Sequence, residues 1–393
     1  MPLSVPMADA LEGGMIVSIE ALRLAARRIL PRWLFDYVDG GAYSETTMRR
    51  NLAALVERYF VPQVLRGISR PNARTTLFGH QQDVPVMLAP VGMAGMLSPQ
   101  GEIKAARAAA RQGVTACLSH FSIVSVEDVA RVVDPVSLAF QLYIFRDRDL
   151  TRDMVSRAWA CGIRTLVVTV DTPVTPMRAR DARNGFRNLS RLSARHVGHM
   201  ALRPAWSWAA ARRGGRTMGN LDRYGMGTNL FAQAATIARE LDPDIGWHDL
   251  AWLRDVWKGK LVVKGVMLPE DTVECVRIGA EGIVISNHGG RQLDGAVAGF
   301  DVLEENVRAA GGRAQMVVDG GFRYGSDVVK ALALGASGVM LGRPYAYGLA
   351  TDGEQGVVDV LEYFRQGIHS TMTLLGLGDL SVVKDIRMTS FDK

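Results

Sequence analysis

The sequence has 393 residues, 48% hydrophobic and 22% charged, with a formal net charge of +6. That balance describes a globular chain with a sizeable core, either one large domain with insertions or two smaller ones. Cys117, Cys161 and Cys275 are far apart and form no CxxC pair, which argues against a disulfide framework or a structural metal site and fits a reducing compartment.

The N-terminal MPLSVPMADALEGG has no basic segment followed by an apolar core, and no window of about 18 apolar residues follows, so neither export nor membrane spanning is expected. Ser18 to Tyr37 has helical periodicity interrupted by Pro31, and Asp39-Gly-Gly-Ala42 breaks it. Residues 18–60 therefore read as a helical N-terminal extension.

From Val84 onward, apolar or β-branched runs alternate with amphipathic stretches. The expected strands are Val86 to Pro90, Val114 to Ser119, Val136 to Leu142, Ile163 to Asp171, Lys260 to Lys264, Gly282 to Ser286, Gln315 to Asp319 and Gly338 to Gly342. Expected helices between them include Glu102 to Gln112, Val126 to Val133, Arg152 to Ala160, Pro269 to Ile278, Val302 to Ala310 and Ser326 to Leu334. Eight β-then-α units favour an α/β fold closed as a (β/α)8 TIM barrel, a single domain over 1–393. No GxGxxG opens a helix after the first strand, which counts against a dinucleotide-binding sheet. Residues 172–231 are too long for an ordinary connection and read as a functional insertion after strand four.

The charge is localised. Between Arg178 and Arg216 there are ten arginines and one acid, Asp181, while the rest of the chain has 36 basic against 39 acidic residues. A generally nucleic-acid-coated surface is therefore not expected, and nucleic acid is not a predicted partner.

In such a barrel the loops after the strands form the ligand face. Polar and turn residues fall there: Pro90-Val91-Gly92, Ser119, Gln141 and Tyr143, Thr169 and Asp171, Lys264, Ser286 and His288, Asp319-Gly320-Gly321, and Gly342-Arg343. Glycine-rich turns after strands seven and eight, with Arg323 and Arg343 nearby, suit a phosphate monoester. Gly92 lets a flat ring approach the backbone. In Ser286 to Gly295, SNHGGRQLDG, two glycines between His288 and Arg291 let a proton acceptor and a fixed cation face one small acid.

These residues resemble the FMN-dependent L-2-hydroxy acid dehydrogenases and oxidases, the family of glycolate oxidase, flavin lactate dehydrogenases and mandelate dehydrogenase. The likeness runs from about Ile19 to Leu380 and rests on SNHGGRQLDG, LPRWLFDYVDGGA, FQLY, TVDTP, VVKG and DGGFRYGSDVVKALALGA. It implies FMN as cofactor, His288 as base and Asp171 as its charged partner. It makes Arg291 and Arg178 the carboxylate clamp, Tyr37 a further carboxylate contact and Tyr143 a contact to the substrate hydroxyl. Lys264 would stand at the N1 and O2 side of the flavin, and Gln141, Thr169, Ser119 and Ser286 would bond its ring or ribityl chain. Phe121 and Thr175 fall where family members vary the substrate wall, and leave both lactate and mandelate open.

Gly92, where oxidases of the family often have alanine, tilts the expectation toward a dehydrogenase serving a quinone or similar carrier; an oxygen-using oxidase is the alternative. Within the insertion, residues 190–219 interleave arginines with Leu192, Val197, Met200, Leu202, Trp206 and Trp208. The pattern suits anionic headgroups and an interfacial tryptophan belt, and membrane-attached family members have such a segment there. The resemblance thus implies a homotetramer, cytoplasmic and peripheral on the cytoplasmic face of the inner membrane.

Overall fold

Main-chain groups in a buried apolar run must find partners inside the protein, and here they do so as eight parallel strands. These are β1 (Val86–Leu88), β2 (Ala116–Leu118), β3 (Leu138–Leu142), β4 (Thr165–Thr169), β5 (Lys260–Val266), β6 (Gly282–Ile285), β7 (Gln315–Asp319) and β8 (Gly338–Leu341). They pair in chain order, and β8 closes on β1 through Val339–Val86, Met340–Met87 and Leu341–Leu88. The expected (β/α)8 barrel is thus the observed fold. The computed structural model describes residues 11–12, 15–185, 193–213, 215 and 217–390.

Strand alternation divides the apolar residues into two cores. Met87, Cys117, Ala139, Val167, Val262, Val284, Val317 and Met340 fill the barrel. Their neighbours Val86, Leu88, Leu118, Phe140 and Leu166 face outward into the helical layer. A hairpin, Thr75–Leu77 with His80–Gln82, plugs the lower end. Its Phe78 and Leu77 occupy space left by Gly282 and Gly338, where an added Cβ would stand 2.1 and 2.7 Å from those side chains.

The N-terminal extension forms α1 (Ile19–Ile29), α2 (Arg32–Asp39) and α3 (Thr46–Val56). Ser18 caps α1 by accepting from Ala21 N, and Pro31 separates α1 from α2. The outer layer has α4 (Gly101–Arg111), α5 (Val126–Ala130) and α6 (Arg148–Ala160). The insertion contains α7 (Ala179–Arg183), α8 (Ala194–Ala201), α9 (Pro204–Arg213) and the start of α10 (Leu230–Glu240). Then come α11 (Trp247–Val256), α12 (Pro269–Ile278), α13 (Leu303–Ala310), α14 (Gly325–Ala333) and the long α15 (Arg343–Leu374), kinked at Asp352–Gly353.

One expectation about the insertion needs correction. Trp206 is not an interfacial residue: its Nε1 donates to Met96 O at 2.9 Å and its ring meets Trp33 edge-on at 6.0 Å. Arg191, Leu192 and Arg216 lie outside the described residues. No helix among the described residues is long and apolar enough to cross a membrane.

One buried carboxylate ties the outlying helices to the barrel. Asp39 accepts from Arg23 of α1, from Arg180 of α7 and from Tyr347 of α15. Burial raises its pKa, but the hydrogen bonds from Arg23, Tyr347 and Arg180 outweigh burial and hold it well below the usual carboxylate range. Asp39→Ala is expected to lower stability by on the order of 3 kcal/mol, measured as a shift in the urea midpoint. A depressed carboxyl stabilises above its unfolded pKa, so the difference from wild type should persist down to about pH 4 and shrink below it.

Candidate active site

β6 ends at Ile285, and the next residues turn back over the barrel mouth. His288, Gly289 and Gly290 all have left-handed backbone, with φ of 58°, 64° and 75°. Such a run holds its shape only when neighbours over-determine it. Asn287 does this by exchanging two hydrogen bonds with Asn51 of α3, at 2.8 and 2.9 Å, while its Oδ1 also accepts from Gly290 N. Gly290 admits no side chain, since a Cβ would lie 2.5 Å from Met48 N.

The turn brings His288 Nδ1 within 2.9 Å of Asp171 Oδ1. Burial raises the Asp171 carboxyl, yet the His288 and Lys264 partners more than offset this and hold it below its ordinary value. An ionised carboxylate only accepts, so Nδ1 carries the proton and Nε2 is left as the basic nitrogen. Behind this pair, buried Lys264 binds Asp319 Oδ2 at 3.0 Å and donates to Ser286 Oγ at 2.7 Å. Burial favours neutral Lys264, but the charges of Asp319 and Asp171 prevail and raise its pKa, so it stays cationic.

Arg291 and Arg178 share the same opening. Arg291 is fixed by NH1 donation to Tyr37 O and Gly40 O, at 2.7 and 2.8 Å, with its guanidinium 5.2 Å from the Tyr37 ring centre. Arg178 Nε donates to Arg291 O at 3.3 Å. Burial, and next the Arg291 charge, push the Arg178 pKa down to about 10. Two crowded, desolvated cations form a receptor for an anion. Beside them the Tyr143 hydroxyl is buried, and burial followed by the Asp171 charge raises its pKa far above neutrality, so it remains a donor. Phe121 stacks on Tyr143 at 4.7 Å with planes 17° apart.

These groups open on one cavity of about 850 Å³. Its wall includes Tyr37, Tyr143, Arg178, His288 and Arg291, together with Phe121 and Thr175. It also includes Pro90, Val91, Gly92, Ser119, Thr169, Lys264, Asp319, Gly320, Gly321, Arg323, Gly342 and Arg343. Gln141 and Ser286 stand behind the wall. The Ser286 hydroxyl accepts from Lys264 Nζ and His288 N and so fixes those two residues, while its own proton is not committed by either bond. Arg343 is likewise partly committed: its NH1 and NH2 donate to Gly289 O and Gly40 O.

Buried polar atoms around the wall with no partner among the described residues include Gln141 Nε2, Thr169 Oγ1, Asp171 Oδ2, Asp319 Oδ1 and Arg343 Nε. Buried groups of this kind are normally satisfied, so several orphans around one cavity mark where a polar ligand belongs. Gly92 leaves a matching recess, since a Cβ there would meet only Phe121, Ser119 and Tyr37, at 3.6 to 3.8 Å. Protein packing therefore does not require glycine at 92. Gly92→Ala is expected to fold with unchanged stability or a gain of up to about 1 kcal/mol, while slowing substrate oxidation, which parallel melting and kinetic measurements would show.

The sequence reading did not find the apolar half of the cavity. Met93, Met96, Met218, the α10 residues Leu230, Ala234, Ile237 and Ala238, and Leu241 just beyond the helix line it. Leu230, Ala234, Ile237 and Leu241 recur at helical spacing, the one signal that points to this face. Asn51 and Asn287 were also missed, because nothing local marks two asparagines 236 residues apart as partners.

A barrel mouth that pairs a base with an anion receptor, beside orphaned donors for a flat polar group, defines a flavin-dependent oxidoreductase. The chain belongs to the FMN-dependent dehydrogenase family, which it matches over residues 26–389. It is 46% identical over 374 residues to an L-lactate dehydrogenase of Caulobacter vibrioides (strain NA1000 / CB15N), covering 94% of this chain and 97% of that protein. An L-lactate dehydrogenase of Pectobacterium atrosepticum is 44% identical over 365 residues, covering 92% and 94%. Among solved structures, the monotopic membrane protein (S)-mandelate dehydrogenase superposes with a TM-score of 0.91 at 38% identity, covering 95% of this chain and 99% of that one. A mandelate oxidase with (S)-4-hydroxymandelic acid gives 0.83 at 36% identity, covering 95% and 99%. The protein is an FMN-dependent oxidoreductase of 2-hydroxy acids.

Proposed function

We propose that this enzyme oxidises L-2-hydroxy acids of the lactate or (S)-mandelate type to 2-oxo acids and passes the electrons to a quinone or similar carrier. The observation behind this reading is that the His288–Asp171 pair and the Arg178–Arg291 pair open on one cavity. Arg178 and Arg291 bind the substrate carboxylate, which fixes the neighbouring carbinol centre. Tyr37 adds a contact to the carboxylate, and Tyr143 donates to the hydroxyl oxygen. His288 Nε2 accepts a proton as oxidation proceeds, and Asp171 stabilises the imidazolium that results. Gln141, Thr169, Ser119, Lys264 and the loops after β7 and β8, with Arg323, would hold FMN. FMN, when bound, takes up the two electrons.

The wall by Phe121 and the methionine-rich side accommodates more than a methyl group. The test is to follow reduction of the bound flavin by glycolate, L-lactate and (S)-mandelate, then its reoxidation by a quinone or by oxygen. Faster reaction with an apolar side chain than with glycolate, and with quinone than with oxygen, is the expected result. Rapid reoxidation by oxygen would instead make the enzyme an oxidase.

The same reading places the enzyme peripherally on an anionic membrane surface, through residues 190–219, facing the cytoplasm. Support comes from α8 and α9, where Leu202 and Trp208 are 70% and 63% exposed, with Arg212 stacked 4.6 Å from the Trp208 ring centre. Apolar residues projecting among arginines match an interfacial helix. Replacing Leu202→Glu and Trp208→Glu together is expected to abolish sedimentation with phosphatidylglycerol vesicles while flavin reduction stays at the wild-type rate. The proposed homotetramer would cover the exposed Val64 and Leu65, and sedimentation velocity would measure it.

A further inference from the structure

His120 is wholly buried beside the cavity, and none of the steps above uses it. β3 ends at Leu142, so the Tyr143 amide has no strand partner; it donates instead to His120 Nδ1 at 3.2 Å. A ring nitrogen that accepts is unprotonated, which puts the proton on Nε2. Burial, and then the Arg157 charge, push the His120 pKa down to about 3, so Nδ1 remains an acceptor wherever the protein is folded.

The ring itself backs the aromatic wall. Its plane lies 23° from that of Phe121 at 5.4 Å and 18° from that of Tyr143 at 6.4 Å, and its edge meets Phe145 at 4.9 Å. The His120 backbone is held on both sides: its N–H donates to Gln141 Oε1 at 3.3 Å, and its carbonyl accepts from Asn220 Nδ2 at 3.1 Å. Asn220 belongs to the 3₁₀ turn Gly219–Tyr224 that ends the insertion. The imidazole is thus held through Nδ1 and its aromatic neighbours, while its Nε2 has no partner among the described residues.

We propose that His120 is a positioning residue: its Nδ1 sets the Tyr143 backbone, and its ring backs Phe121, fixing the wall that discriminates substrate side chains. This inference rests on the reading of Tyr143 and Phe121 as substrate contacts. A phenyl ring would supply the stack without the acceptor, and an asparagine the acceptor without the stack. Neutral histidine supplies both.

The two roles separate in two variants of the holoenzyme, compared at equal FMN loading. His120→Phe leaves the Tyr143 amide unsatisfied and is expected to lower kcat by about tenfold for L-lactate and (S)-mandelate alike. His120→Asn should keep kcat for lactate within about twofold, but raise KM for mandelate and the dissociation constant of phenylglyoxylate by about fivefold. Pyruvate binding should not change. Wild-type constants in both variants, or a His120→Asn enzyme whose mandelate-to-lactate ratio is unchanged, would overturn the proposal. If the variants do not load FMN, nitrogen-15 imidazole shifts of the wild-type protein decide: a neutral Nε2–H tautomer at every pH of the folded range is expected, and a titrating His120 overturns it. Tyr143→Phe tests the underlying reading separately, because unchanged kinetics there would remove the substrate contact whatever His120 does.

Discussion

His288→Ala is expected to keep its FMN and lose flavin reduction, with kcat/KM for the preferred 2-hydroxy acid falling by about 10³-fold or more. The size of the effect follows from the geometry. His288 Nε2 is the basic nitrogen left to the cavity while Nδ1 keeps its proton and donates it in a hydrogen bond to Asp171. Removing the ring also strips Asp171 of the partner that lowers its pKa, leaving a buried carboxyl with Lys264 as its remaining stabilising charge. Because residue 288 has left-handed backbone, alanine adds strain unrelated to chemistry. His288→Asn is the control, since asparagine tolerates that conformation and provides no base. Both variants should bind pyruvate as wild type does, and fail alike in single-turnover reduction.

Arg178→Met is expected to move activity and stability in opposite directions. Activity on L-lactate should fall about 10²- to 10³-fold in kcat/KM, the result of truncating one partner of a desolvated ion pair. Arg178→Lys should recover little, because an ammonium cannot donate as a planar fork. Stability should rise instead. The guanidinium is buried next to Arg291 and its pKa is pushed down to about 10, so at neutral pH its charged form opposes folding. A group with a depressed basic pKa destabilises wherever it is protonated in both states, and methionine removes that penalty. A higher Tm with lower kcat/KM is the pattern of a residue kept for binding. A lower Tm would mean that Arg178 is a structural ion-pair partner of Asp181, which lies 3.8 Å away.

Much of the barrel could be read from the chain. Each of its strands is a short β-branched or apolar run, and buried parallel strands have that composition because both faces are covered. Five strands, β1, β2, β4, β6 and β8, end earlier than expected, so Pro90, Ser119, Asp171 and Ser286 lie in the loops beyond them, whereas β5 runs on to Val266. α15 has no counterpart among the expected helices, and it contains Pro344, Gly348, Gly353 and Gly356, residue types that ordinarily interrupt a helix. Pro344 sits at the start of the helix, where it is tolerated. Gly348 and Gly356 are there for contact: a Cβ on Gly348 would lie 2.3 Å from Gly356 O.

The chemistry-bearing residues were legible because SNHGGRQLDG is local, whereas its supports are not. Asp39 with Arg180, and Asn287 with Asn51, join residues 141 and 236 positions apart, and no periodicity reports such pairs. Trp206 shows the complementary error, since an indole among arginines resembles an interfacial anchor until a carbonyl such as Met96 O is found at its N–H.

The most direct test is anaerobic mixing of the FMN-loaded enzyme with the two enantiomers of lactate and of mandelate, following the visible absorption of the bound flavin. L-lactate or (S)-mandelate is expected to bleach it within the mixing experiment, and the opposite enantiomers to leave it coloured. A fully loaded enzyme that no 2-hydroxy acid bleaches, or that both enantiomers bleach equally, would contradict the assignment of His288 and the two arginines.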